Sequence, residues 1–466
     1  MSPPAFTAPS PWSRRLLLLC IVFPPWLFAT VHFWFQVFVA GVNLAAALVV
    51  LSARPGPLRV PLVLALSAPS FLLAAIQCLN PVIPYFVGAA NGPMFTLVGG
   101  NPFLPCTIDR TASLFEFARW AAWLAGGIAF LQYPATRGDL RFLVVALVVN
   151  AAVISLVGTL HFYSKDPLVL WFRRSASPGM SFGPFIYRNN YVSYILLCLP
   201  FALGLCFLPS MNRRFHREEM AKRLLQAALL GLVVIGLLTC SSRAAAIIFP
   251  AALLPFLALW LGLREKTAAS PASGSPAVPQ APWIAWIRPA LSLGMVAGFV
   301  LLLGEAWRSY ARLEKLGLVD ESRLVIWQAT WKAVSDAPLW GHGAGTFEKM
   351  FYFYEPQNVE KVAKFRWLDA HNDWLQALHD RGWAGFSLGA VALAVALGRL
   401  LWTTLRDSSS FARAVAGCAA IGMVLVLVHA LVDFPFGCGA VPIAFLQVAA
   451  LGLAAPYAAH AADFRS

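Results

Sequence analysis

Apolar runs of about twenty residues fill most of the chain, near residues 16–32, 34–52, 60–78, 113–132, 142–160, 191–208, 224–240, 244–262, 289–306, 384–402, 413–432 and 439–456. A helix of that length crosses a hydrocarbon layer roughly 30 Å thick with its backbone hydrogen bonds satisfied internally. The pattern therefore predicts an all-α polytopic membrane protein with about twelve transmembrane helices. It is interrupted by one long polar stretch, Glu305 to Arg381, which reads as a helical loop. The expected organisation is an N-terminal transmembrane bundle over 1–306 (about nine helices), a helical loop over 307–383 carrying the chemistry, and about three C-terminal helices over 384–466. The Ala/Ser/Pro-rich segment 266–282 reads as a disordered linker. The basic, apolar N-terminus, with Pro24 and Pro25 and no clear cleavage site, reads as a retained first span.

Within the loop, Leu324, Trp327, Trp331 and Val334 recur at three- and four-residue steps, predicting an amphipathic helix opened by Asp320 or Ser322. Arg323 and Trp327 share one of its faces. That face either rests on the bilayer through an interfacial indole or offers a guanidinium fork to a phosphate. The turn Pro338–Phe347 holds Gly341, Gly343 and Gly345, where backbone N–H groups can approach a ligand closely, as in a phosphate cradle. His371 then precedes a helix expected to run straight into the next span, where the positive end of the dipole favours a neutral ring. It is a candidate general base, against the commoner structural role of a single histidine.

Composition agrees with a membrane protein: 59% hydrophobic and 12% charged residues, against about a quarter charged in soluble domains. Basic residues at Arg14, Arg15, Arg54, Arg59, Arg137, Arg141 and Arg406 fall on one side of the expected spans, which marks that side, with both termini, as cytoplasmic. Topology thus accounts for most of the net charge of +14 and leaves no call for a nucleic-acid partner. Arg173, Arg174, Arg188, Arg243 and Arg323 fall on the other side, as expected if an anionic, lipid-linked phosphate is bound there or if some pair with nearby carboxylates. Glu116 and Arg119, one turn apart, read first as a structural ion pair. His429 and Asp433, also one turn apart, read equally as packing or as donor-orienting groups. The eight cysteines show no metal-ligand spacing, so no metal is expected; Cys78 and Cys106 flank one outer loop and are candidates for pairing.

Taken in order, Gly183-Pro184-Phe185-Ile186-Tyr187-Arg188-Asn189-Asn190, Ser242-Arg243-Ala244-Ala245, Arg323-x-x-x-Trp327, Pro338-Leu339-x-Gly341-x-Gly343-x-Gly345-x-Phe347, His371-Asn372-x9-Gly382-x-x-Gly385 and His429-x3-Asp433-Phe434-Pro435 resemble the O-antigen ligase family, over about residues 180–440. The resemblance implies a membrane-embedded glycosyltransferase of the bacterial inner membrane with its active site facing the periplasm. It would move a glycan from undecaprenyl diphosphate to a sugar hydroxyl of lipid A-core, with inversion and with no metal or cofactor. Carried over by motif, Arg243 and Arg323 would stabilise the leaving diphosphate and His371 would be the base. Arg188, Asn190, Arg174, Trp327, Asn372 and Asp433 are the further substrate-binding candidates. A polymerase or a protein O-oligosaccharyltransferase using the same donor fits the same motifs, and a non-enzymatic transporter is the remote alternative. His342 and His379 depart from the family pattern and compete with His371 as bases.

Overall fold

The computed structural model describes residues 11–53, 57–89, 92–174, 180–208, 218–240, 242–268, 321–354 and 367–460. It is an all-α membrane bundle. Its helices are α1 (Pro11–Trp26), α2 (Phe33–Ser52), α3 (Pro61–Leu79), α4 (Arg110–Gln132), α5 (Arg137–Ser164), α6 (Arg188–Phe207), α7 (Glu218–Thr239), α8 (Arg243–Ala268), α9 (Glu321–Asp336), α10 (Phe347–Tyr354), α11 (Asp373–Arg406), α12 (Ser410–His429) and α13 (Ala440–Ala459). Among the described residues nine helices are long and apolar enough to span a membrane. Two of the remaining expected spans are α1, at 16 residues, and α8, whose apolar stretch is the shorter Ile247–Leu263. The span expected at 289–306 and most of the linker expected at 266–282 lie outside the described residues, while residues 266–268 continue α8.

The ends of the helices follow from local chemistry. Thr136 and Asp139 form a reciprocal capping box at the start of α5, with Asp139 N donating to Thr136 Oγ1 at 3.2 Å and Thr136 N to Asp139 Oδ2 at 3.0 Å. Asp109 caps α4 by accepting from the backbone of Thr111 and Ala112. Helices α6, α12 and α13 are the most enclosed, with 89%, 72% and 78% of their spanning windows buried, and form the centre of the bundle. Polar groups inside it are satisfied across helices: Asn150 donates to Tyr194 Oη at 3.0 Å and accepts from Trp26 Nε1 at 2.9 Å.

Helices α9 and α10 sit at one end of the bundle, called here the upper end. A two-stranded antiparallel hairpin, β1 (Ile83–Ala89) and β2 (Gly92–Val98), joins α3 to α4 there. It was not among the expected elements, although its Val, Phe and Tyr content is a strand signal.

A second difference decides the geometry of the site. The helix expected to run unbroken from His371 into the membrane is broken at Gly382, with φ 57° and ψ −175°. The glycine turn docks into this break through four backbone hydrogen bonds: His342 N to His379 O (2.9 Å), Gly343 N to Asp380 O (3.0 Å), Trp383 N to Pro338 O (2.8 Å) and Ala384 N to Leu339 O (3.1 Å). A Cβ at Gly341 would lie 2.6 Å from Gly382 N, and one at Gly343 would lie 2.3 Å from Thr107 Oγ1. The glycines are there for close backbone approach, and the amides of His342 and Gly343 are occupied rather than offered to a phosphate.

Candidate functional site

A cavity of about 1900 Å³ opens inside the bundle beneath this docked turn. Its lower part is apolar, lined from α3, α4, α11 and α13 by residues such as Leu64, Ile128, Leu393 and Leu453. Its upper part is polar and is built where the starts of α6, α8 and α11 meet α9 and the 430–438 loop.

Asp433 is the hub of that upper part. It is 2% exposed, accepts hydrogen bonds from Asn189 Nδ2 and from the backbone of Phe434 (2.9 Å), and lies 3.6 Å from Arg323 Nη2, 3.8 Å from His371 Nδ1 and 3.9 Å from His429 Nε2. Burial opposes its charge, yet the His371 contact and the positive potential of Arg323 and His429 outweigh burial and hold its carboxyl down at about 2. Arg323 donates further to Val432 O and to Tyr187 Oη, at 3.2 Å for the latter. Tyr187, stacked on Phe434 with centroids 5.3 Å apart, is pushed up to about 12 by burial and by Asp433, so its hydroxyl stays protonated. The hub extends outward through Asn189 to Ser242, whose Oγ donates to Asn189 Oδ1 at 2.8 Å, and so reaches the start of α8 beside Arg243. Residues separated by more than a hundred positions thus close one network.

His371 has left-handed backbone, φ 51°, which is uncommon for a residue other than glycine. The conformation is held from both sides. Trp327 Nε1 donates to Ala370 O at 3.0 Å, and Ala370 N donates to Gln376 Oε1 at 2.9 Å. The ring packs edge-on against Phe434 (4.4 Å) and Trp367 (5.5 Å), and its Nδ1 is buried without a hydrogen-bond partner, facing Asp433.

Arg188, Asn190, Arg243, Arg323, His371 and Asp433 all line the cavity, so the structure brings together three residues expected to do chemistry and three expected to bind substrate. Three other candidates are placed elsewhere. Arg174 is exposed on the segment after α5 and is not among the lining residues. Asn372 caps α11, accepting from Trp374 N and Leu375 N at 3.1 Å each. Trp327 supports the His371 backbone from outside the cavity, in a separate shallow surface pocket. His342 and His379 do not line the cavity either: they pack against each other, with centroids 5.0 Å apart. Burial, reinforced by His379, takes His342 down to about 3, so its ring is neutral and Nε2–H donates to Ala333 O at 2.8 Å.

Sequence reasoning missed several charged cavity groups, Asp373 and Arg381 among them. Glu116 and Arg119 do form the expected ion pair, and Arg119 also reaches Gln36 Oε1 at 3.4 Å, but the pair faces the cavity. Asp369 and Asp380 line the same side. Among the described residues no group of three or more His, Cys, Asp or Glu side chains is arranged to hold a metal ion. Cys78 and Cys106 are both buried free thiols.

Residues 227–389 match the O-antigen ligase family. The match runs from α7 through the break in α11 and carries Arg243, Arg323, His371 and Gly382; Arg188, Asn189 and Asp433, which complete the network, lie outside it. It supports a multi-pass membrane glycosyltransferase of the O-antigen ligase type. No curated protein matches the chain.

Proposed function

We propose that the protein transfers a glycan from undecaprenyl diphosphate to a sugar hydroxyl, lipid A-core being the leading acceptor, in the bacterial inner membrane with the upper end of the bundle facing the periplasm. The observation that carries this reading is the convergence of three arginines, a histidine and an enclosed carboxylate on one cavity that is polar above and apolar below. The apolar part suits an isoprenoid chain and the arginines suit its diphosphate.

In the reaction, the acceptor oxygen attacks the anomeric carbon as the bond from that carbon to the diphosphate oxygen breaks, which inverts the centre. Diphosphate leaves with the bonding pair, and Arg243, Arg323 and Arg188 balance the charge that grows on it. Asp433, beside Nδ1 of His371, holds the tautomer that presents Nε2 to the cavity, where the acceptor proton goes. A lipid diphosphate is already a good leaving group, so positioning, charge balance and one base suffice, and no metal or other cofactor enters the scheme.

The test is transfer by purified protein in nanodiscs, with undecaprenyl diphosphate-linked glycan offered to lipid A-core, to a second glycan or to protein, and with EDTA present. Product on lipid A-core, lost by about 10²–10⁴ in His371→Ala, supports the ligase reading. Chain growth without lipid A-core assigns a polymerase instead, and product on Ser or Thr a protein O-oligosaccharyltransferase. Binding or movement of lipid with no transfer would favour a transporter.

A further inference from the structure

The polar half of the cavity is divided by charge. On the side of α6, α8 and α9 stand Arg188, Arg243 and Arg323, with Asp433 already engaged by Arg323. On the side of α4 and α11 stand Glu116, Asp369, Asp373 and Asp380, with only Arg119 and Arg381 among them. Most of these acidic groups have partners: Glu116 pairs with Arg119, Asp373 Oδ2 accepts from Phe436 N at 2.8 Å, and Asp380 Oδ1 accepts from Gln376 Nε2 at 3.0 Å and from His379 Nδ1 at 2.8 Å.

Asp369 is different. It is half-buried, it lines the cavity, and no hydrogen bond to it occurs among the described residues. Its Oδ1 lies over Gly437, where an added Cβ would be 3.1 Å away, so the absence of a side chain there leaves room around the carboxylate. A cavity-facing carboxylate with no protein donor takes its hydrogen bonds from whatever occupies the cavity. Burial, reinforced by Glu116, Asp380 and Asp433 and only partly offset by Arg119, pushes it up to about 7. The aromatic rings of Trp367, Trp374 and Phe434 line the same cavity, and His371 packs against Trp367 and Phe434 at the meeting of the two walls.

An anionic diphosphate is attracted to the arginine wall and repelled by the acidic one, whereas a saccharide has what the acidic wall lacks: hydroxyl donors and apolar C–H faces for aromatic rings. We infer that the α4–α11 wall is the acceptor subsite, taking a sugar that is uncharged around its reacting hydroxyl, with Asp369 and Glu116 accepting hydrogen bonds from its hydroxyl groups. This rests on the glycosyltransferase reading above and adds to it the place and the charge of the acceptor.

The test uses full-length protein in nanodiscs and measures binding directly, so that it does not depend on turnover. The probes are undecaprenyl diphosphate, lipid A-core ending in neutral hexoses, a free neutral oligosaccharide, and the same oligosaccharide carrying a phosphate. The expected result is that Asp369→Asn and Glu116→Gln each weaken the better-bound neutral probe about tenfold or more, Asp369→Glu recovers most of that loss, and undecaprenyl diphosphate binds within about twofold of wild type throughout. The phosphorylated oligosaccharide should bind wild type about tenfold more weakly than the neutral one. Loss of undecaprenyl diphosphate binding in Asp369→Asn would place the wall in the donor site and overturn the inference. So would neutral-sugar binding that is absent in wild type or unchanged in both variants. Failure of wild type to bind undecaprenyl diphosphate at all would instead strike at the glycosyltransferase reading.

Discussion

Replacing Gly382 by alanine tests whether the broken helix builds the site. Its φ of 57° with ψ of −175° lies in a region reserved for glycine, and forcing a side chain there costs about 1–3 kcal/mol. The added Cβ would stand 2.4 Å from both C and O of Leu339 and 2.6 Å from Gly341 N, all backbone atoms that cannot rotate away. Relief requires the turn to lift, which weakens the four hydrogen bonds joining it to α11, each worth about 1 kcal/mol net. Loss of all four bonds together with the strain comes to about 5–7 kcal/mol, and partial loss to less. Gly389→Ala is the control on the same helix, since its Cβ would meet only Ser70 Oγ at 4.0 Å and should gain a little helix propensity. Thermal unfolding at a fixed scan rate, followed by tryptophan fluorescence in detergent, should show Gly382→Ala lowered by about 5 °C or more and Gly389→Ala unchanged or raised. Transfer should fall about 10²-fold as well, because lifting the turn frees the Asp380 backbone held by Gly343 N, and Asp380 holds Gln376, which holds Ala370 beside His371. Equal melting points and equal rates for the two variants would refute the role given to the break.

Three further outcomes follow from the hub and the acidic wall. Asp433→Asn removes the countercharge of Arg323 and sets an amide donor against the Asn189 donor, so single-turnover transfer should fall about 10²–10³-fold while the protein still folds; a change under about threefold would contradict Asp433 as the group that positions His371. Arg323→Lys keeps the charge but cannot serve Val432 O, Tyr187 Oη and Asp433 together, so kcat should drop about 10- to 100-fold with little change in melting temperature. For pH, Asp369 is raised in the fold: the folded state binds its proton more tightly, so stability declines as pH rises from the unfolded value near 4 through about 7 and is level above that. Asp433 has the opposite sign, with stability present above about 4 and lost only as pH falls towards 2. Between pH 5 and 8 the wild-type melting temperature should therefore fall, and Asp369→Asn should flatten that slope; parallel profiles would rule out Asp369 as its source.

The spans were legible because a bilayer imposes one length and one composition on every helix that crosses it, so run length alone located α2 to α7 and α11 to α13. The chemistry was legible only in part, for a related reason. Spacing of three or four residues reports which side chains share one helix face, and it found the Glu116–Arg119 pair and the His429–Asp433 pair. It is silent on how faces of different helices meet. Nothing in the spacing of Arg323 shows that its partners are Tyr187 and Asp433, 136 and 110 positions away, and nothing at Trp327 shows that its indole is spent on the backbone beside His371. Asn372 and Arg174 failed as cavity residues on the same ground: their types suit a phosphate, but one is consumed as a cap and the other faces outward. A usable signal did exist for Asp369. Residues 369–380 place four acidic or amide side chains, Asp369, Asp373, Gln376 and Asp380, at intervals of four, three and four, a polar stripe leading towards a membrane span where charge is tolerated only with a partner. Reading that stripe as one face turned to a ligand would have pointed to the acidic wall before its position opposite the arginines was known.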